Sequence, residues 1–309
     1  MIIRPIDAAP HAELAHALAR FEEQFRYPLG PGRFFRIEHG QDYPRFFRAM
    51  GEGICFVAQR ETHVLGVLGA ALRPVVSPLG DLQTALYLGD LKIDPPARGG
   101  RVLPRLADAA RHWLGTRASA AFAVVMDGTP IVPTRYTGRL GIPRFVELGK
   151  IVVLRVPTAL ADRSTDWTAT ETDGACCYLR LSAGRYACPG GNPAERSEMS
   201  PLWLMDPEGG ACGRLEDTRR AKRLIADDGV EMQSAHLSCF AYDDVDAGVA
   251  LIRVALHHAA ERGMPALFVA VPSGEAPAFA RLDAVLAPAT IYGTGLDPGL
   301  PWNINTAEI

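Results

Sequence analysis

No run of about 18 uncharged apolar residues occurs in the 309-residue chain, so a membrane-spanning helix has no candidate. Positive charge is also in short supply. Against 35 Asp and Glu stand 32 Lys and Arg, mostly arginine and scattered, for a formal net charge of −3. A general nucleic-acid binder needs a basic field that this composition does not supply. The six cysteines (Cys55, Cys176, Cys177, Cys188, Cys212 and Cys239) contain no Cys-x-x-Cys pair, so neither a zinc site nor a redox motif is signalled. Several lie in apolar contexts, where a free cysteine behaves as a small buried hydrophobe. His11 and His16, and the adjacent His257 and His258, miss the four-residue spacing that places two imidazoles on one helix face, and no metal is assigned. Ser77 and Ser273 lack a Gly-x-Ser-x-Gly setting, which leaves a serine hydrolase unsupported. The first seven residues begin as a strand without a signal-peptide pattern. A soluble cytoplasmic protein with no membrane partner and no nucleic-acid partner is the resulting expectation.

What is present is apolar content ample for buried cores and enough length for about two domains of roughly 150 residues each. Residues 2–6 read as a strand and 10–25 as a helix, with Leu14, Leu18, Phe21 and Phe25 on one face. A Gly/Pro interruption at 28–32 leads into an aromatic segment from Phe34 to Phe47, read as a second helix or helical loop. Its aromatics suit either core packing or the lining of a substrate pocket. Residues 54–59 and 64–72 form a hairpin around a polar turn. A strand over 82–93, a helix over 101–116, a fully apolar strand over 121–126, a short helix over 133–140 and a strand over 145–156 complete the first half.

The stretch 87–114 organises this half. Leu86, Leu88, Leu91 and Ile93 supply a strand that Pro95 and Pro96 stop, because proline cannot donate to a ladder. Beyond Gly99 and Gly100, residues Val102, Leu103, Leu106, Ala110 and Trp113 recur at helical spacing, with Pro104 tolerated in the first turn. Such a loop gathers free backbone N–H groups and the positive end of a helix dipole at one point, which suits a phosphate or pyrophosphate. Arg98 and Arg101 flank it and add charge-assisted contacts. The same pattern also describes an ordinary strand–loop–helix junction whose glycines relieve steric strain.

Residues 91–106, Leu-Lys-Ile-Asp-Pro-Pro-Ala-Arg-Gly-Gly-Arg-Val-Leu-Pro-Arg-Leu, resemble the acyl-CoA-binding motif of the GNAT N-acetyltransferase superfamily. That motif is an apolar strand ending near a proline, then Arg/Gln-Gly-x-Gly-x-Gly/Ala opening a helix. Ile93, Pro95, Arg98, Gly99, Val102 and Leu106 fall in register, while Arg101 and Leu103 replace the second and third glycines. The resemblance implies a mixed α/β (α+β) sheet whose two cofactor strands splay apart to admit pantetheine. It further implies acetyl-CoA or another short acyl-CoA as co-substrate, held by Leu91, Lys92, Ile93, Arg98, Gly99, Gly100, Arg101, Val102 and Leu103. A small-molecule or peptide amine would be the acceptor.

Residues 160–174 are polar and weakly periodic and read as a linker, which divides the chain into 1–158, 159–174 and 175–309. In the second half, 175–181 read as a strand, followed by strands near 202–205 and 211–215. A strand over 232–242, a helix over 245–262, a strand over 266–271, a helix over 275–286 and a strand over 290–294 then repeat the order of 84–155. The expectation is two GNAT-like domains, the second without the N-terminal helix pair. Its strand–helix junction carries Asp243, Asp244 and Asp246, which favour a helix N-terminus but repel a pyrophosphate, so one cofactor per chain is expected.

Acyl transfer to an amine needs a base, an oxyanion stabiliser and a proton for the leaving thiolate. Asp90, on the cofactor strand, is the catalytic base suggested by the resemblance, and it is equally readable as a structural hydrogen-bond partner. Glu147 is a second candidate. Tyr136 is the acid for the thiolate, although Thr137 occupies the position where the family places its tyrosine. The tail 301–309, aromatic and amide-rich, reads as packing between the halves and bordering the acceptor pocket. An N-acyltransferase working by direct transfer in a ternary complex is the leading expectation, with a homodimer open. A non-catalytic acyl-CoA sensor or protein-interaction module on the same scaffold is the alternative.

Overall fold

The computed structural model describes residues 1–28, 32–160 and 167–309 and shows a mixed α+β architecture. The first half comprises β1 (Ile2–Ile6), α1 (Ala12–Glu22), β2 (Tyr27–Pro28), β3 (Phe34–Glu38) and α2 (Arg45–Arg48). It continues through β4 (Glu52–Arg60), β5 (His63–Val76), β6 (Leu82–Ile93), α3 (Val102–Leu114), β7 (Ala120–Met126) and β8 (Val146–Pro157). The second half comprises β9 (Thr168–Ala169), α4 (Glu171–Leu181), β10 (Tyr186–Ala187), α5 (Pro193–Arg196), β11 (Leu202–Met205) and β12 (Ala211–Glu216). Then come β13 (Arg223–Ala226), β14 (Ala235–Tyr242), α6 (Val245–Glu261), β15 (Ala266–Pro272), β16 (Val285–Thr294) and β17 (Trp302–Asn303).

Among the described residues one sheet runs through both halves in the order β1-β4-β5-β6-β7-β16-β8-β15-β14-β12-β11-β9. The halves exchange strands at its centre. β16 lies antiparallel between β7 and β8, and β8 lies antiparallel between β16 and β15. Helix α3 covers one face of the first half through Val102, Leu106 and Ala110, while α1 and α2 cover the opposite face through Leu14, Leu18, Phe46 and Phe47. Gly66 on β5 permits the close approach of α3: a Cβ there would lie 2.8 Å from Val102 Cγ1. A small sheet, β13-β3-β2, ties the two halves together a second time.

Several expectations are corrected. Residues 175–181 belong to helix α4, not a strand, so the second half keeps an N-terminal helix and a short α5. Thr170 caps α4 by accepting from the Asp173 amide at 3.2 Å, and Cys177, Tyr178 and Leu181 form its buried face. The stretch read as a linker contributes β9 and the first turn of α4, while residues 161–166 lie outside the described residues. Residues Phe34–Glu38 are a strand, because β13 supplies an antiparallel partner. The helices expected over 133–140 and 275–286 are 3₁₀ turns at Pro133–Arg135 and Ala276–Leu282, each with a proline at its start. The second of these gives way to β16, which is long because it pairs on both edges.

Residues 301–309 are buried as a unit. Trp302 stacks on Tyr186 and packs on Phe122, and β17 pairs in parallel with β10. Glu308 bonds Arg73 at 2.6 Å and Arg196 at 2.8 Å, and Arg196 also grips Glu216 at 2.7 Å. All four side chains are sealed from solvent. Burial alone would push the Glu308 carboxyl up, but the two guanidinium groups outweigh it and hold it at about 2. Because that value is depressed, the stabilisation is complete above the ordinary glutamate range and is lost as pH falls through about 2. Glu308→Gln should therefore cost about 3–5 kcal/mol at pH 7 in urea unfolding. The gap from wild type should narrow as pH is lowered from about 4.5 towards 2. A gap of constant size over that window would place the carboxylate outside the network.

Candidate active site

The site is made by two parallel strands that stop pairing. β6 and β7 share only the rungs Ala85↔Ala120, Leu86↔Ala121 and Tyr87↔Phe122. Beyond these, residues 88–93 and 123–126 diverge, and their facing edges have no ladder partner in each other. The other edge of each strand is taken by β5 and β16, so neither can close the gap. A cavity of about 460 Å³ occupies it. Its walls include Leu86, Leu103 and Ala110 on the α3 face and Phe46, Val153 and Phe268 on the opposite face, so it crosses the sheet.

On β6 the ladder to β5 carries a bulge. Val67 pairs with Lys92 and Gly69 with Gly89, leaving Leu68 opposite both Asp90 and Leu91, with Asp90 at φ 55°. This turns Asp90 into the cavity wall and against a buried polar cluster. Lys92 Nζ lies 2.7 Å from Asp90 and 3.1 Å from Glu22. His39 Nδ1 lies 2.6 Å from Glu22, and the Tyr43 hydroxyl donates to Asp90. Burial raises the Asp90 carboxyl, yet Lys92 and His39 overcome it and set it at about 2. Burial likewise opposes ionisation of Lys92, and the carboxylates reverse this and raise its pKa. Glu22, His39 and Asp90 bring ligand atoms within 4.8 Å of one another, but the Lys92 ammonium already supplies the positive charge that such a group would take. Asp90 is thus a pinned carboxylate, a weak proton acceptor at neutral pH.

Tyr136 follows the Pro133–Arg135 turn and lines the same cavity. Burial pushes its hydroxyl up to about 12, so it stays protonated and able to donate at neutral pH. Glu147 is half-exposed, pairs with Lys150 at 3.3 Å and does not line the cavity, which corrects its candidacy.

The loop before α3 is as the sequence suggests in backbone, less so in side chains. Gly99 has φ 77°, and α3 starts at Val102 behind Arg101, whose side chain makes no capping bond. The first turn therefore has no side-chain cap, and Pro104 in it carries no N–H to satisfy. A hollow of about 790 Å³ beside it is lined by Arg60, His63, Arg98, Gly100, Arg101 and Arg105, with Asp94 tied to His63 at 3.0 Å. Leu91 and Leu103 line the cavity, while Val102 and Ile93 pack into the core under α3. Lys92 differs from these in that its side chain is buried on the other side of the strand's ladder, among carboxylates. Its ammonium is consumed by carboxylates and is not offered to a ligand.

The second half repeats the design and fills it. β14 and β15 share only Ala235↔Leu267 and His236↔Phe268 before parting. β14 carries the same bulge, with Gly213 opposite Cys239 and Phe240, and Cys239 at φ 49°. Here the chain's own tail enters. Asn305 Oδ1 accepts from the Cys239 amide at 2.8 Å, and Thr306 donates to the Phe268 carbonyl. Asp244 caps α6 by accepting from the Ala247 amide at 2.9 Å, so that helix end is satisfied internally. Thr306 and Ile309 go on to line the first cavity, together with Lys222 and His236. Sequence reading missed these last two. A lone lysine and a lone histidine carry no local signal, and it is the strand exchange that brings them to the site.

No protein-family model matches the sequence, and no curated protein matches it. Solved structures do. N-myristoyltransferase of Saccharomyces cerevisiae, with myristoyl-CoA bound, superimposes with a TM-score of 0.63 at 10% identity, over 99% of this chain and 82% of that one. A GCN5-related N-acetyltransferase from Anabaena variabilis superimposes with a TM-score of 0.52 at 11% identity, over 94% of this chain and 72% of that one. The chain has the GNAT fold in tandem, as the repeat of splayed strands and bulges within it also shows.

Asp90 is the nearer of the two carboxylates to the buried Lys92 ammonium, at 2.7 Å, and removing it deprives that ammonium of its closest partner. Asp90→Asn should lower stability by about 3–5 kcal/mol in urea unfolding, beyond any effect on activity. A variant as stable as wild type would show that the cluster does not hold Asp90 as an ion.

Proposed function

We propose that the chain is an N-acyltransferase that moves an acyl group from acyl-CoA to an amine by direct transfer. The observation that carries this is the open splay between β6 and β7. It joins an uncapped, arginine-flanked helix N-terminus on the α3 side to a polar pocket of Lys222, His236 and Thr306 across the sheet. In this reading residues 1–158 hold the cofactor. Arg98, Arg101 and the amides of the Gly99–Gly100 loop take the phosphates, and the freed edges of β6 and β7 flank the pantetheine. Tyr136 protonates the leaving thiolate. Residues 175–309 build the acceptor wall. The alternative of a binding protein without turnover has no use for polar groups at the far end of the cavity.

Acetyl-CoA or a short acyl-CoA is the co-substrate read from the motif. The α3-side wall favours a longer chain: Leu86, Leu103, Ala107, Ala110, Leu114 and Ala118 line an apolar channel kept open by small side chains. The myristoyl-CoA bound to the yeast structural neighbour supports the same preference.

Thermal melting with acyl-CoA tests both statements. A ligand at 100 times its dissociation constant stabilises by about 2.7 kcal/mol. Affinity should rise roughly fourfold for each methylene buried, about 0.8 kcal/mol, from acetyl upward until the channel is full. Arg98→Glu together with Arg101→Glu should abolish the shift at every chain length. Equal stabilisation by acetyl-CoA and the longer homologues would remove the long-chain preference, and no shift with any would remove acyl-CoA altogether.

A further inference from the structure

If the chain transfers an acyl group to an amine, something in the cavity must accept the proton that the amine loses. Asp90 is badly placed for this, with Lys92 and Tyr43 on its oxygens. Lys222 Nζ donates to the Ile309 oxygen and lies over the Phe46 ring, 4.4 Å from its centroid. His236 is different. It stands on the last rung before β14 and β15 part, is 4% exposed, and lines the cavity.

Its tautomer follows from its neighbours. The Thr306 hydroxyl has one hydrogen, which it donates to the Phe268 carbonyl oxygen at 3.3 Å. His236 Nδ1 lies 3.0 Å from the same hydroxyl oxygen and must therefore carry the hydrogen of that contact. In a neutral ring this leaves Nε2 as a bare lone pair. Among the described residues no hydrogen bond to Nε2 is seen, and the ring lines the cavity.

The surroundings keep the ring neutral. Burial acts first, then the positive charges of Lys222 and Arg196, and together they push its pKa well below the ordinary histidine value. The facing carboxylate on β12, Glu216, is already occupied by Arg196 at 2.7 Å and Arg214 at 3.4 Å. The partners on β15 and the tail, Phe268 and Thr306, are uncharged.

We propose that His236 is the general base of the transfer, with Thr306 as its positioning residue; the assignment rests on the acyltransferase reading above. The amine nitrogen attacks the thioester carbonyl, forming the C–N bond. His236 Nε2 takes the proton from that nitrogen as the adduct collapses and the C–S bond breaks. The sulfur leaves with the bonding pair and takes a proton from Tyr136. One proton is taken and one given, and exchange with water resets both groups. A base of low pKa suffices because the nitrogen of the tetrahedral adduct is far more acidic than a free ammonium ion.

The test uses the full chain and His236→Asn, whose amide can still donate to Thr306 but has no atom at the Nε2 position. In ¹⁵N-histidine-labelled wild type, the long-range ¹H–¹⁵N signals missing from His236→Asn should show a neutral ring with hydrogen on Nδ1 from pH 8 to 6. Hydrogen on Nε2, or a charged ring, would overturn the assignment whatever the activity. Thiol release from acetyl-, octanoyl- and myristoyl-CoA is then followed with glycinamide, putrescine and benzylamine as acceptors. His236→Asn should lose about 10²–10⁴-fold in kcat while keeping the acyl-CoA melting shift, and should lose the acid limb of the kcat profile that wild type shows below pH 6. A variant with wild-type kcat sinks the base alone. A wild type that binds acyl-CoA yet releases no thiol with any of the three amines sinks the transferase reading and the base with it.

Discussion

Two parallel strands that part after three rungs determine most of what this chain can do. A parallel sheet buried on both faces has every reason to continue pairing, since each lost rung strands backbone donors and acceptors. β6 and β7 do not, while each keeps its pairing on the outer edge, with β5 and β16. The gap is therefore held open by the sheet itself rather than by a mobile loop. Whatever occupies it meets backbone polar groups along its length and apolar side chains above and below. That combination suits an amide-containing, thioester-bearing arm better than a compact polar metabolite.

The second half shows what such a gap requires when no ligand is supplied. β14 and β15 part in the same way and β14 bulges at the same place, but Asn305 and Thr306 satisfy the freed groups and Trp302 packs beside them. The tail acts as an internal ligand. Its docking depends on Glu308 meeting Arg73 from the first half and Arg196 from the second, a buried network that joins three distant stretches of chain. Such a network adds little over apolar packing, and it would be severely destabilising in any other register, so its contribution is to specify one placement of the tail.

What was legible in the sequence follows from what is local. The strand, the proline stop, the Gly99 loop and helix α3 are consecutive, and each is dictated by residues within a few positions of it. Helix α4 was misread because a short apolar run with two cysteines and a tyrosine fits either period. The deciding signal was the Thr170 cap three residues before Asp173. Strand Phe34–Glu38 could not be separated from a helix until β13, almost two hundred residues away, was seen beside it. Asp90 was found by type and position, whereas its being held as an ion depends on Glu22, His39 and Lys92 meeting from three elements. Lys222 and His236 were invisible for the same reason.

The two splays are also mechanically linked. Thr306 closes the second gap at Phe268 and, with the same hydroxyl oxygen, fixes the His236 ring at the rim of the first cavity. One tail thus both fills the second gap and orients a side chain at the rim of the first. The degenerate half is therefore not surplus: its filled cleft is the support on which the open one is completed. A substitution that loosens the tail should be felt both in the first cavity, which Thr306 and Ile309 line, and in the first half's core, where Trp302 packs on Phe122.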